Sequence, residues 1–161
     1  MRRAWCAGVA ATSLFVMAST TFAQEFCSDL DHVVKLAPSG FQSIRDDASR
    51  GALTTTVTRS LPGASWCWYE NIVGAYWCSW NVSPDQVRRR VQQLASAVGG
   101  CYQVQADYDA SLSFAFVDVP NSAPVYVNGI GGAVFLSIGG NFATAPPDRF
   151  PPRPPMSEER P

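Results

Sequence analysis

The chain has 161 residues, a formal net charge of −1, 47% hydrophobic and 16% charged residues, and 12 prolines. That is apolar material for one packed domain and too little length for two. A basic field is missing, and loss of Arg2 and Arg3 with a leader takes the charge to −3, which excludes nucleic acid as the main partner.

Residues 1–23 read as a secretory signal peptide of the general export route. Arg2 and Arg3 form its charged end, Ala7 to Ala18 its apolar stretch, and Thr21 and Ala23 place small residues before a cut at Gln24. The apolar stretch is too short to span a bilayer core of about 30 Å, so no membrane span is expected after cleavage. The expected location is the periplasm or the extracellular space of a bacterial cell.

Export sets the meaning of the cysteines. With Cys6 removed, Cys27, Cys67, Cys78 and Cys101 remain, an even number in an oxidising compartment, and they read as two disulfides. Metal ligation is disfavoured because no pair has CxxC spacing and His32 is the sole histidine, so neither metal nor cofactor is expected. Three pairings are open; the favoured one is Cys27–Cys67 with Cys78–Cys101, each helix stapled to a hairpin.

A helix is expected over Glu25–Leu36, where Phe26, Leu30, Val33, Val34 and Ala37 fall on one face. Pro38 and Gly40 stop it, and Phe41 to Ile44 suggests a short helical turn before a polar loop over 46–51. Leu53–Ser60 alternates with period 2 and is rich in threonine, which predicts a strand. Ser65–Asn71 and Ala75–Val82 predict a hairpin, with Gly74 suited to a left-handed turn position.

The second helix starts at Ser83-Pro84 with Gln86 completing a capping box. It buries Val87, Val91, Leu94, Ala95 and Val98, and ends at Gly99-Gly100. Up to four further strands are expected, at 102–107, 112–119, 125–128 and 133–138, separated by turn residues. Residues 24–142 therefore form one α+β domain, a single antiparallel sheet with two helices packed on one face, in the order α-β-β-β-α-β-β with one or two extra strands. The element order is similar to that of the secretion-chaperone-like fold, and the residues carry no motif that names a family. Residues 143–161 hold seven prolines and almost no aliphatics, and read as a disordered or polyproline-like tail.

The densest signal is aromatic: Trp66, Trp68, Tyr69, Tyr76, Trp77 and Trp80 lie within fifteen residues. If Cys67 pairs opposite Cys78, then Trp66, Trp68 and Trp77 share one face, and Cys67, Cys78, Tyr69, Tyr76 and Trp80 share the other. The tryptophan face either looks to solvent beside Thr54, Thr56 and Thr58 as a binding platform or is covered as core. Arg88 and Arg89, in an Arg88–Arg90 run on the outside of the second helix, are candidate contacts for an acidic partner, against a plain solvated face.

Catalytic constellations are scarce. His32 falls opposite the buried helical stripe, there is no GxSxG, and Glu70, Asp107 and Asp118 are single acids on strands. The expected function is a non-enzymatic protein-binding domain of the envelope or secreted fraction, of inhibitor, immunity or adaptor type. It would use Trp66, Trp68, Trp77, Thr56, Arg88 and Arg89. A glycan- or peptidoglycan-binding module is the second reading, and a hydrolase with an unrecognised carboxylate site the third.

Overall fold

The computed structural model describes residues 17–46 and 52–140. The first part of the expected leader and the proline-rich tail lie outside these residues. Helix α1 runs Met17–Leu36 and helix α2 Val87–Tyr102. The strands are β1 (Thr54–Thr56), β2 (Trp66–Glu70), β3 (Ala75–Asn81), β4 (Asp107–Tyr108), β5 (Phe114–Val117), β6 (Val125–Ile130) and β7 (Ala133–Gly139).

All seven strands join one antiparallel sheet in the order β1-β2-β3-β7-β6-β5-β4. Two meanders meet at its centre: β1 to β3 precede α2, β4 to β7 follow it, and β7 closes the sheet against β3 in a seven-residue register. Helix α2 lies over β5, β6 and β7, and α1 packs beside it with contacts to β7. The expected fold class, two helices on one face of a single antiparallel sheet with two disulfides, is the one observed.

Strand alternation decides which side chains enter the core. Ala115, Val117, Val125, Val127, Val134 and Leu136 point to the helices and are fully buried. From α1 they meet Phe26, Leu30, Val33 and Val34; from α2 they meet Val91, Leu94, Ala95 and Val98. Phe41 is also fully buried, although its φ of 59° is a left-handed value that a side chain normally avoids. Its ring sits 5.7 Å from Tyr69 and 5.9 Å from Tyr76, so packing between the end of α1 and the hairpin compensates the backbone.

The helix ends differ from the expected ones. A 3₁₀ turn, Pro84–Gln86, precedes α2, and the Ser83 side chain makes no cap; the Gln86 N–H donates to the Ser83 carbonyl at 2.9 Å instead. Gly99 and Gly100 do not end α2, which continues to Tyr102 and closes with Gln103 at φ 57° and the Val104 N–H donating to the Gly99 carbonyl at 3.0 Å. Gly99 is needed for close approach: a Cβ there would lie 2.6 Å from the Val104 carbonyl oxygen. Gly129 plays the same part where α2 crosses β6, a Cβ there falling 2.2 Å from Val87 Cγ1. The expected strand at 53–60 shrinks to Thr54–Thr56, and the one expected at 102–107 gives way to the end of α2 and a short strand displaced to Asp107–Tyr108. The expected cut before Gln24 falls within the continuous α1.

The disulfide pairing is corrected. Cys67 bonds Cys78, with Cα atoms 4.1 Å apart, and Cys27 bonds Cys101, with Cα atoms 5.3 Å apart. The register places Cys67 directly opposite Cys78, so their nearest sulfur is each other's. Cys27 and Cys101 meet because α1 and α2 lie side by side, and that link staples helix to helix rather than helix to hairpin.

Candidate functional site

The sheet face opposite the helices collects the aromatic residues. In the hairpin Trp68 pairs with Trp77 and Tyr69 with Tyr76, which puts Trp66, Trp68 and Trp77 together on this outer face. Trp66 and Trp68 stack with centroids 4.7 Å apart, and Trp68 and Trp77 stack at 5.9 Å with planes 8° apart. Phe135 of β7 meets Trp68 edge-on at 6.3 Å. Farther along, Tyr126 of β6 contacts Phe116 at 5.3 Å and Phe114 at 6.0 Å, both on β5. Such offset and edge-on ring pairs contribute about 0.5–1.5 kcal/mol each beyond their area.

The registers join these groups into one row. Thr56, Trp68, Trp77, Ser137, Tyr126, Phe116 and Asp107 are successive partners from β1 to β4, one residue per strand. At about 4.8 Å per strand, the row is about 29 Å long. A parallel row beside it runs Trp66, Ser79, Phe135, Asn128 and Phe114.

Exposure is uneven along the face. Trp66 is 50% exposed, while Trp68 and Trp77 are 5% and 4% exposed. The three tryptophans therefore share a face as expected, but Trp66 alone of them presents an open ring. Thr56 is exposed at the β1 end of the row. Arg88 and Arg89 are exposed on α2, which covers the other face of the sheet, so the fold does not bring them to the tryptophans.

Polar groups interrupt the rings. Ser79, Ser137 and Asn128 are 9%, 2% and 6% exposed. The Asn128 side-chain amide nitrogen has no acceptor among the described residues, an orphan donor at the centre of an apolar face. Glu70, on the same face of β2, has its carboxyl pushed above its ordinary value by burial, and a hydrogen bond from the Trp77 side chain opposes this. The outer-face positions of the seven strands carry two carboxylates, Glu70 and Asp107, and no Lys or Arg.

Several other titratable groups hold local structure. His32 is exposed on α1, Asp31 pairs with Lys35 at 2.6 Å, and Asp29 pairs with Arg59. Tyr76 is fully buried, donates to the Arg59 carbonyl at 2.9 Å, and burial strongly raises its pKa. The Asp109 carboxylate accepts a hydrogen bond from Ser111 and the backbone N–H groups of Ser113 and Phe114, which holds it below its usual range. Among the described residues no three His, Cys, Asp or Glu gather as a metal site. Glu70 and Asp107 lie near opposite ends of the sheet, too far apart to act as an acid/base pair.

A separate apolar concavity of about 360 Å³ lies between the start of α1 and α2, lined by Phe22, Phe26, Pro62, Trp80, Arg90 and Leu94 among others. Phe22 precedes the expected cut, so this wall belongs to the uncut chain.

Reading along the sequence missed Phe114, Phe116, Tyr126, Asn128 and Phe135. The signal was present as alternation: Phe116 and Tyr126 each sit between Ala or Val neighbours, and Phe135 between Val134 and Leu136, with the rings at one parity and the aliphatics at the other. The chain matches no family model, no curated protein and no solved structure.

Proposed function

We propose that this chain is an exported, non-enzymatic protein-binding domain, delivered by the general secretory route to the periplasm or beyond, whose contact surface is the outer face of its sheet. One observation carries the reading: aromatic side chains on five neighbouring strands, β2, β3, β7, β6 and β5, share a face that neither helix covers. Contiguous aromatic surface with polar interruptions and few charges is the composition of a protein interface core. Trp66 at its edge is a natural anchor, being large, amphipathic and half open. The two disulfides suit an oxidising compartment.

A sugar-stacking platform needs several open ring planes, and Trp68 and Trp77 are closed. The protein-binding reading is therefore preferred to the glycan module. It predicts that the oxidised chain beginning at Gln24, used as bait in envelope extract, retains a specific protein. Trp66→Ala should abolish that retention while Arg88→Ala/Arg89→Ala leaves it intact. Equal retention by wild type and Trp66→Ala would move the contact surface elsewhere, and retention of glycan instead of protein would select the second reading.

A further inference from the structure

We propose that the apolar concavity between α1 and α2 is a binding site for a single-chain amphipathic carboxylate, its tail on Phe26, Leu94 and Ala97 and its head held by Arg90 and the Trp80 indole N–H. This site lies on the helical side of the molecule, apart from the outer face of the sheet.

The shape comes from three elements. Residues 90, 94 and 97 recur at i, i+4 and i+7, so Arg90, Leu94 and Ala97 share one stripe of α2. Phe26 of α1 and Pro62, in the turn before β2, line the concavity with them. Its volume of about 360 Å³ is at the lower end for small-ligand pockets, which fits one acyl chain.

Charge selects the head group. Among the described residues Arg90 is the one charged side chain lining the concavity, and no carboxylate lines it. Arg90 is half-buried and has no ion-pair partner among the described residues. An arginine so placed offers an aliphatic stem to an apolar tail and a guanidinium to an anion.

A second donor converges on the same space. Trp80 is 3% exposed and lines the concavity, yet its indole N–H has no acceptor among the described residues. Buried donors are normally paired, and a carboxylate oxygen is the acceptor this one lacks. A Cβ built on Gly63 would lie 3.7 Å from Trp80 Nε1 and 3.9 Å from Phe22 Cζ, so the donor sits at the corner walled by Phe22. Phe22 precedes the expected cut at Gln24; without it that corner widens, while every tail and head contact named above stays in the chain.

The test titrates decanoate into the isotope-labelled, oxidised chain as recovered from export, its N-terminus read by intact mass. Tryptophan indole N–H signals are followed by NMR, and the Trp80 signal is the one lost in Trp80→Phe. That signal should move downfield and saturate with a Kd of about 0.1–1 mM, the range for a ligand of this size, while the Trp66 signal stays in place. Decyltrimethylammonium, with the same tail and the opposite charge, should bind about tenfold more weakly. Arg90→Gln should weaken decanoate about tenfold and Arg90→Lys should restore most of the loss, with circular dichroism confirming that both variants fold.

A Trp80 signal that stays fixed up to about 10 mM decanoate overturns the proposal. Equal binding of the carboxylate and the ammonium, or decanoate affinity unchanged in Arg90→Gln, overturns it by removing the head site. Sedimentation of the chain with phosphatidylglycerol vesicles that decanoate does not relieve overturns it in favour of a membrane contact. The contact surface on the sheet fails separately: Trp66→Ala should leave decanoate binding unchanged whatever it does to protein retention.

Discussion

On the side toward the helices, β6 and β7 present Val125, Val127, Val134, Leu136 and Ile138, all fully buried; on the other side the same two strands present Tyr126, Asn128, Phe135 and Ser137. The covered side is closed by aliphatic branches interlocking with α1 and α2, and it tolerates neither voids nor extra volume. The open side is closed by rings stacked on rings, with hydroxyls and an amide between them. One sheet thus carries two layers of different chemistry back to back, separated by the thickness of a strand.

That contrast can be broken most forcefully through the disulfides. Cys27–Cys101 closes a loop of sequence separation 74 and fixes the helical layer, while Cys67–Cys78 closes one of separation 11 within the sheet. Replacing the first pair by alanine should cost about 4.5 kcal/mol and the second about 3 kcal/mol in urea denaturation, on chain-entropy grounds. Equal costs would mean that the helical layer is not held mainly by its staple.

The adjacent residues Leu136 and Phe135 point to opposite sides of β7 and give the sharpest paired comparison. Leu136→Ala should destabilise by about 3 kcal/mol, the cost of a cavity under α2. Phe135→Ala should cost about 1 kcal/mol, since its ring is only partly buried. Comparable losses would make the open side a second core. Trp66→Ala, at a half-exposed ring, should change stability by less than about 0.5 kcal/mol while removing partner retention.

The smallest effect is electrostatic. Burial raises the Glu70 carboxyl above its ordinary value, so its ionised form is disfavoured in the folded chain. The folded state then holds this proton more tightly than the unfolded state, and stability from this group falls as pH rises from about 4 through the raised value. Glu70→Gln should flatten that part of the stability profile and leave the remainder unchanged, which thermal melts across the range would detect.

Much of this was legible in the residues. The facing of the hairpin, with Trp68 against Trp77 and Cys67 beside Cys78, follows from period-2 alternation about a Gly74 turn, and it was observed. Pairing of the cysteines was not legible from the expectation that each helix is stapled to the sheet, because the meeting of the middle of α1 with the last turn of α2 is set by packing over β5 to β7. Gly99-Gly100 misled for a different reason: a Cβ on Gly99 would meet the Val104 carbonyl in the turn that closes α2, whereas Gly100 has open space around it, so the glycines mark the last turn and not the end. The aromatic row was half legible. Its β2–β3 half shows as a cluster in sequence, whereas Phe116, Tyr126 and Phe135 become neighbours of that cluster only once β7 lies against β3.

The placement of β7 also governs how the molecule is made. It is the seventh strand in chain order and the fourth in space, and it pairs residues 75–81 with 133–139 across more than fifty intervening positions. Until it arrives, the two meanders are separate pieces, each with an open edge and half a core. Contacts of such long range are slow to form because the loop must be closed before the contact is gained. Folding therefore waits for nearly the whole chain to be present.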